Sequence, residues 1–271
     1  MTITLNKIQG LIAGNGELPV CLAKSAQRSG FDVIAVSLSP SNRKQLEKYC
    51  SKVYSYGAGE LQKIVATLHA ENVKQLTFIG KVSKGMLFRN PRLDKRALKL
   101  IQNLKRLNDD GIMLSFINEL DKENIEVLDQ TIFIKDVLVT RGVLGNIQPT
   151  STQTEDINYG FELAKEMGRL DIGQTVVVQN KMVLAVEAIE GTDKAIERGC
   201  KLGSVGSVVV KVSKPKQDKR FDIPTVGMNT LRTMYRYGAR VLAVEADETF
   251  IVEKSRMIKF ADSRNIVVVA V

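Results

Sequence analysis

The chain has 271 residues, 44% of them hydrophobic and 25% charged, with a formal net charge of +9. No apolar run approaches the roughly 20 residues that span a bilayer, and the N-terminus lacks an export-signal pattern, so we expect a soluble cytoplasmic protein. A basic surface suits phosphorylated ligands, anionic membranes or nucleic acid. Because no nucleic-acid-binding motif accompanies the charge, we predict no nucleic-acid partner.

Histidine and cysteine are too scarce to build the common transition-metal sites. The single histidine, His69, excludes hydrolytic centres made of clustered histidine ligands, and its place near the end of a predicted helix favours a structural role. Cys21, Cys50 and Cys200 form no C-x-x-C pair, so we expect three buried thiols without a disulfide or zinc site. Hydrolytic chemistry would therefore use carboxylates with a hard divalent cation.

The first half alternates predicted strands and helices, which is the order of a parallel sheet covered by helices. The predicted strands are 8–13, 31–38, 76–80, 125–128 and 132–134, and the predicted helices are 19–29, 41–52, 60–70, 94–107 and 110–122. Residues 136–151 are rich in Gly, Thr and Pro and show little periodicity. We therefore place a domain boundary there, giving an N-terminal domain, 1–135, and a C-terminal α/β domain, 136–271.

The second half opens with a capping-box pattern, Thr152 followed by Glu155, which predicts a helix to about residue 167. Asn180 and Lys181 separate two apolar runs and predict a hairpin turn. The predicted strands are 175–178, 182–188, 207–212, 241–245, 250–252 and 266–271, and the later helices are 193–201, 229–237 and 256–263. This mixture predicts an α/β domain.

The first candidate motif is the glycine turn Gly14-Asn15-Gly16, between the first strand and the first helix. Such a turn can present amide groups to a phosphate at the positive end of the helix. Pro19 replaces the third glycine of the dinucleotide fingerprint, and Ser37 stands where an acidic residue would hold a ribose, so NAD binding is weakly supported. A phosphate contact and a structural turn are both compatible with these residues.

The second candidate motif places three carboxylates, Glu187, Glu190 and Asp193, between a strand end and a helix start. Oxygen ligands at the end of a strand suit Mg²⁺, which retains several of its waters. Alternatively, Asp193 only stabilises the first helical turn through its charge. The motif alone does not separate these two interpretations.

The third candidate motif, residues 211–227, places five Lys or Arg residues around Asp218 and Asp222. Cations can hold a diphosphate while a carboxylate positions a metal or a water. Pro215 and Pro224 restrict the backbone at both ends, which suits a fixed site. A solvated charged loop is the alternative.

Together with residues 79–82 and 171–174, these motifs resemble the UDP-2,3-diacylglucosamine pyrophosphatases of the LpxI type over nearly the whole chain. Residues 183–193 and 218–227 carry the most specific part of the resemblance. One departure is Met228, where many relatives have proline after the glycine. The resemblance implies a Rossmann-like N-terminal domain, a catalytic C-terminal α/β domain and a ligand cleft between them.

The resemblance also implies an activity, the Mg²⁺-dependent hydrolysis of UDP-2,3-diacylglucosamine to 2,3-diacylglucosamine 1-phosphate (lipid X) and UMP in lipid A synthesis. The aspartate on which the family depends matches Asp222, which we predict to be the catalytic residue and a metal ligand. Glu190 and Asp193 are the other predicted metal ligands. The predicted substrate-binding residues are Gly14, Asn15, Gly16, Lys81, Gly191, Thr192, Lys214, Lys219 and Arg220.

Two other functions remain open at this stage, hydrolysis of a different nucleotide-diphosphate sugar and non-catalytic binding of a phosphorylated lipid or nucleotide. The resemblance suggests a homodimer. A diacylated substrate and a basic surface allow, at most, peripheral contact with the cytoplasmic face of the inner membrane.

Overall fold

The computed structural model describes residues 7–82, 93–102 and 109–271, and the chain divides into two compact units. The first unit contains the described residues as far as Ile134, together with Lys219–Phe221. The second unit contains Lys135–Asp218 and Asp222–Val271. The third candidate motif therefore contributes residues to both units.

The first unit is built on a five-stranded parallel sheet with strand order 3-2-1-4-5. Its strands are β1 (Ile8–Ala13), β2 (Asp32–Ser37), β3 (Lys52–Ser55), β4 (Gln75–Ile79) and β5 (Glu126–Val127). The order changes direction between β1 and β4, the position at which doubly wound sheets bind ligands. This topology confirms the Rossmann-like fold class.

Five helices are described in the first unit. They are α1 (Leu18–Arg28), α2 (Arg43–Leu46), α3 (Leu61–Ala70), α4 (Lys95–Gln102) and α5 (Asp109–Lys122). The predicted helix 41–52 was wrong in extent, because only one turn forms and the chain then enters β3, which the sequence analysis missed. Residues 103–107 of the predicted helix 94–107 lie outside the described part of the chain.

Residues 132–134 form a turn instead of the predicted strand. Asp129 Oδ1 accepts hydrogen bonds from the amide and the hydroxyl of Thr131, both at 2.7 Å. The Ile134 amide then donates to the Thr131 carbonyl at 3.0 Å. Because an aspartate side chain bonded two residues ahead stabilises a turn, the apolar residues here cannot extend into a strand.

The second unit is built on a six-stranded mixed sheet with strand order β6-β13-β11-β9-β7-β8. Its strands are β6 (Gly142–Val143), β7 (Thr175–Gln179), β8 (Met182–Val186), β9 (Val208–Lys211), β11 (Val241–Val244) and β13 (Val267–Ala270), while β10 (Thr225–Val226) pairs with β12 (Phe250–Ile251). Strands β9, β11 and β13 run parallel, and β7 is antiparallel to both β8 and β9. The carboxyl ends of β8, β9, β11 and β13 therefore share one edge, which we call the carboxyl edge of the second sheet.

Helices cover both faces of this sheet, as expected from its continuous valine runs. They are α6 (Ser151–Arg169), α7 (Thr192–Leu202), α8 (Met228–Tyr237) and α9 (Lys254–Ser263). Val208 and Val210 share a buried cluster with Ile157 of α6, whereas Val209 shares one with Ile196 of α7. Alternation along β9 thus assigns one face to α6 and the other to α7.

Local hydrogen bonds fix the start of α6, and local backbone angles form the hairpin turn between β7 and β8. Helix α6 is capped by Thr150 and Gln153, whose reciprocal hydrogen bonds measure 3.2 and 3.0 Å, two residues earlier than the predicted box at Thr152. The helix therefore begins before the predicted cap. Both Thr150 with Gln153 and Thr152 with Glu155 match the capping-box pattern. Asn180 and Lys181 have φ angles of 52° and 55°, which confirms the predicted hairpin turn.

The single histidine and the cysteines have different surroundings in the structure. His69, in the last turn of α3, contacts Glu123 Oε2 at 2.8 Å, a structural contact. The expectation of three buried thiols was wrong for Cys21, which is exposed, and correct only in part for Cys50, which is half-buried. Burial raises the pKa of the Cys50 thiol to about 12.

Within the described ranges, no helix combines the length and hydropathy needed to cross a bilayer.

Candidate active site

The glycine turn of the first unit is bonded to the loop after β4. The Gly14 amide donates to the Ile79 carbonyl at 2.8 Å, and Asn15 and Lys81 exchange backbone hydrogen bonds of 2.8 and 2.9 Å. The Gly16 amide donates to Asn15 Oδ1 at 2.8 Å. Because these three amide groups already have acceptors, the geometry favours a structural turn over a phosphate cradle built from them.

The close approach of two backbone segments requires glycine at Gly14, and a positive φ angle favours glycine at Gly80. A Cβ atom on Gly14 would lie 2.6 Å from the Gly80 carbonyl carbon, and Gly80 itself has a φ of +96°. Asn42, which is 6% exposed, donates to the Gly14 carbonyl at 2.6 Å. The turn is therefore rigid, and it leaves the side chains of Asn15 and Lys81 exposed at the carboxyl ends of β1 and β4.

Three neighbouring strands of the second sheet bring polar side chains to its carboxyl edge. Lys211, at the end of β9, pairs with Thr175 of β7, and the Glu187 amide donates to the Thr175 carbonyl at 2.8 Å. Since paired residues project to the same face of a sheet, Glu187, Thr175 and Lys211 share a face. Val209, two residues before Lys211, packs with Ile196, so this face is the one that α7 covers.

Thr192, the first residue of α7, joins these side chains. Its hydroxyl donates to Glu187 Oε1 at 2.9 Å, and the Lys211 ammonium group donates to Thr192 Oγ1 at 3.0 Å. Thr175 Oγ1 lies 3.5 Å from the same oxygen. Gly191 precedes the helix with a φ of +83°, a conformation that favours glycine. We call Thr175, Glu187, Thr192 and Lys211 the edge cluster.

The edge cluster contains two unusual buried groups. Lys211 is only 8% exposed. Glu187 Oε2 is buried and has no hydrogen-bond partner among the described residues. An unpaired buried polar atom of this kind costs about 1–3 kcal/mol and calls for an explanation such as a ligand or an ordered water. The cluster therefore offers an acceptor oxygen to a donor group or a cation.

Asp222 is held by the loop that precedes it. Lys214 and Gln217 close a turn around Pro215, since the Gln217 amide donates to the Lys214 carbonyl at 3.0 Å and Gln217 Oε1 accepts from the Lys214 amide at 2.7 Å. The side-chain amide of Gln217 donates to Asp222 Oδ2. The Asp222 amide donates to the Asp218 carbonyl at 3.0 Å. Half-buried Asp222 is thus held through both its carboxylate and its backbone amide.

Thr225 connects this turn to the edge cluster. The Lys211 ammonium group donates to the Thr225 carbonyl at 3.4 Å, and the Thr225 hydroxyl donates to the Ile223 carbonyl, next to Asp222, at 3.2 Å. The second and third candidate motifs therefore meet in the second unit. Lys211 is the residue that joins them.

The three cations predicted to hold phosphate do not belong to one unit. Lys214 lies in the second unit and forms an ion pair with Asp171 at 2.8 Å. Lys219 and Arg220 belong to the first unit, where the Lys219 carbonyl accepts from the Gln130 amide at 2.9 Å. The three cations are therefore assigned to both units, and the charge of Lys214 is partly neutralised by Asp171.

The three predicted metal ligands do not form one carboxylate cluster. Across residues 7–82, 93–102 and 109–271, no three Asp, Glu, His or Cys side chains group in a way that could hold a metal. Glu190 accepts a hydrogen bond from the Arg198 guanidinium, which lowers the pKa of its carboxyl group, and Asp193 is exposed. Mg²⁺ fits better with one or two protein carboxylates and the oxygens of a phosphorylated ligand.

The sequence analysis did not select four residues that the structure brings to this site, Thr175, Glu187, Lys211 and Gln217. Glu187 was noticed as one of three carboxylates but not chosen as a ligand. The available signal for Lys211 was a charged residue directly after the buried run Val208–Val210. The other contacts depend on strand register, which the local sequence does not show.

Fold and site together define a two-domain α/β protein with a candidate active site at the carboxyl edge of its second sheet. Residues 9–137 match the LpxI N-terminal domain and residues 140–269 match the LpxI C-terminal domain. The chain is 33% identical over 273 residues to UDP-2,3-diacylglucosamine pyrophosphatase LpxI of Caulobacter vibrioides, with 97% of this chain and 96% of that protein covered. The chain belongs to the LpxI family.

Two further similarities are partial. An ATP/GTP phosphatase of Helicobacter pylori is 30% identical over 132 residues, which cover 46% of this chain and 34% of that protein. The ADP complex of the N5-carboxyaminoimidazole ribonucleotide synthetase PurK shares 18% identity at a TM-score of 0.30, with 66% of this chain and 34% of that chain covered. This chain therefore spans about a third of each protein, and these matches support no functional assignment.

Proposed function

We propose that the protein is a hydrolase that cleaves the pyrophosphate of UDP-2,3-diacylglucosamine, releasing 2,3-diacylglucosamine 1-phosphate and UMP for lipid A synthesis. The observation that carries the proposal is the 33% identity, over 97% of the chain, to a relative whose name states this substrate. The second unit is compatible with this proposal, because Gln217 holds the Asp222 carboxylate and the Thr225 carbonyl, three residues further on, contacts Lys211 of the edge cluster.

The reaction requires a water molecule to attack one phosphorus while the bridging P–O bond breaks. The water oxygen forms the new P–O bond, UMP and the acylated sugar phosphate separate, and the released proton passes to a phosphate product or to solvent. Asp222 is the proposed group that orients this water or holds a cation beside it. Its hydrogen bond from Gln217 limits the rotation of the carboxylate.

Substrate contacts in the second unit are proposed for Gly191, Thr192 and Lys214. The first two lie at the start of α7, next to Glu187, and Lys214 begins the turn that fixes Asp222. A lysine ammonium group and the backbone at the start of a helix stabilise charge on phosphate oxygens, which leaves the Thr192 hydroxyl to its bond with Glu187. The first-unit residues Gly14, Asn15, Gly16, Lys81, Lys219 and Arg220 stay predictions from sequence.

Mg²⁺ is the proposed cofactor. The structural observation that fits it is the unpaired, buried Oε2 of Glu187, an oxygen of the hard type that Mg²⁺ prefers. Asp222 is the proposed second carboxylate, in place of the pair Glu190 and Asp193. When bound, the cation would neutralise charge on phosphate oxygens.

Peripheral contact with an anionic membrane is proposed for the surface around the carboxyl edge of the second sheet. Leu170, Ile172 and Ile189 are 59%, 48% and 93% exposed. Their loops touch, since a Cβ on Gly173 would lie 2.1 Å from the Glu187 carbonyl oxygen. Exposed aliphatic side chains grouped in this way suit insertion among lipid acyl chains.

Release of UMP from UDP-2,3-diacylglucosamine in the presence of Mg²⁺ tests the proposed activity. A folded protein that releases no UMP would overturn it. Faster cleavage of unacylated UDP-sugars would indicate a different nucleotide-diphosphate sugar as substrate. A rise in melting temperature with the substrate, without product, would identify a binding protein instead.

A further inference from the structure

Lys211 is a buried cation that the sequence places among the cations of the third candidate motif, but it is not one of the predicted site residues and the proposed chemistry does not use it. It follows three buried valines at the end of β9 and is 8% exposed. Taking an ammonium group out of water is unfavourable unless other groups compensate the charge. A methionine would fill a similar volume without this desolvation, so packing alone gives no reason for a lysine here.

The hydrogen bonds of Lys211 have a fixed direction. An ammonium group has donors only, so Thr192 Oγ1 must be the acceptor of the 3.0 Å contact. The single proton of the Thr192 hydroxyl is then committed to Glu187 Oε1, 2.9 Å away. As a result, Oε1 is occupied and Oε2 is the oxygen of Glu187 left without a partner among the described residues.

A second contact of Lys211 reaches the segment that carries Asp222. The Lys211 ammonium group also reaches the Thr225 carbonyl at 3.4 Å, three residues beyond Asp222. The Thr225 hydroxyl bonds the Ile223 carbonyl at 3.2 Å. One side chain therefore contacts both the start of α7 and the turn that carries Asp222.

We propose that Lys211 is a positioning residue for the hydrolysis. Its ammonium group orients the Thr192 hydroxyl toward Glu187 and holds the Thr225 carbonyl, which keeps Glu187 and Asp222 in a fixed arrangement. This inference rests on the proposed function. It assigns to Lys211 no direct contact with the substrate, so its loss should affect turnover more than substrate binding.

The first experiment compares Lys211→Met with Lys201→Met. Lys201 is an exposed lysine on α7 that pairs with Glu197 at 2.6 Å, away from the edge cluster, so it controls for the loss of one positive charge from the same unit. We expect Lys211→Met to lower kcat by about 10- to 100-fold, because small displacements of reacting groups have effects of this size. KM should change by less than about threefold, because Lys211 is assigned no contact with the substrate.

The second experiment tests the direction of the chain of hydrogen bonds and still applies if Lys211→Met does not fold. Thr192→Val removes the hydroxyl that Lys211 orients while keeping the shape of the side chain. We expect the same pattern of lower kcat with little change in KM. Because residues acting as one unit are not additive, the double variant should be no slower than the slower single variant.

The outcomes separate this inference from the proposed function. If the unmodified protein releases no UMP, the proposed function fails. If it releases UMP and Lys211→Met keeps its kcat, the inference alone fails. Additive losses in the double variant, or a loss confined to KM, would also overturn the positioning role.

Discussion

At the scale of single residues, Glu187 and Glu190 have the same side chain but different hydrogen-bond partners. They lie three residues apart in one loop. Glu190 is paired with Arg198, and this hydrogen bond lowers the pKa of its carboxyl group, which makes it a stable structural anion. Glu187 bonds Thr192 through one oxygen and keeps the other buried and unpaired. The unpaired oxygen makes Glu187 the better candidate for cation binding.

The matched variants Glu187→Gln and Glu190→Gln test this choice. We expect Glu187→Gln to raise the Mg²⁺ concentration for half-maximal activity by about tenfold or more, a typical loss when a metal site is altered. Its melting temperature should stay close to native, because the amide keeps the shape of the side chain and an oxygen that can accept from Thr192. A larger effect from Glu190→Gln would support the choice made from sequence alone and contradict the structural one.

At the scale of elements, Arg96 joins α4 to α5. Its guanidinium group donates to Glu119 Oε1 at 2.7 Å and also to Glu123 Oε1. The Arg96 hydrogen bond is the main cause that lowers the pKa of Glu123, with His69 second. For Glu119 the pKa is lowered first by Lys122 and then by Arg96. The side chains of Arg96, Glu119 and Glu123 are less than a third exposed, so these contacts should contribute to stability.

The pH dependence of this contribution follows from the direction of the shifts. A carboxyl group whose pKa is lowered by folding stabilises the folded state above its unfolded pKa of 4.5. That stability is lost as the pH falls through the lower, folded-state pKa. Arg96→Gln should therefore reduce the free energy of unfolding by about 1–3 kcal/mol at pH 7.

Urea denaturation at pH 7 and at pH 3 measures this difference. The midpoints of the native protein and of Arg96→Gln should differ at pH 7, and the difference should be smaller at pH 3, below the unfolded pKa of 4.5. A difference of equal size at both pH values would show that Arg96 acts through packing instead of charge. Arg43→Gln is a suitable control, because Arg43 pairs with Glu47 at an exposed position where ion pairs contribute little.

The sequence predicted those elements whose signals are local. The apolar runs of the second sheet, the turn at Asn180 and Lys181 and the end of α8 at Tyr237, where Gly238 follows with a φ of +97°, all obey short-range rules. β3 was missed because it is a half-buried four-residue strand with little apolar content. The turn at residues 132–134 was missed because a side-chain hydrogen bond of Asp129 overrides the apolar pattern.

Like the helices and strands, the residues of the candidate site were predictable from sequence only where their signals are local. Asp222 and Thr192 stand in motifs that the sequence displays directly. The edge cluster, by contrast, depends on the pairing of Thr175 with Lys211 and on the contact of Glu187 with Thr175. Strand register across such sequence distances is set by the packing of the whole sheet, so no local pattern indicates it.

At the scale of the whole molecule, membrane contact is proposed for the exposed aliphatic residues around the carboxyl edge of the second sheet. Replacing Leu170, Ile172 and Ile189 together by serine should reduce sedimentation with vesicles rich in anionic lipid, because burial of each side chain contributes about 1.5–3 kcal/mol. The control replaces three other exposed residues of the same unit by serine, Met182, Leu202 and Val205, which are 61%, 70% and 71% exposed. Equal loss in both triple variants, or none in either, would contradict membrane contact through the carboxyl edge.

Asp222 is the proposed reacting carboxylate for the hydrolysis of UDP-2,3-diacylglucosamine by the whole protein. The most direct measurement is UMP release from this substrate, with Mg²⁺, by the native protein and by Asp222→Asn, which keeps the size of the side chain. We predict rapid release by the native protein and a loss of about 100-fold or more in the variant, whose melting temperature stays close to native. Full activity of Asp222→Asn in a folded protein would contradict the account.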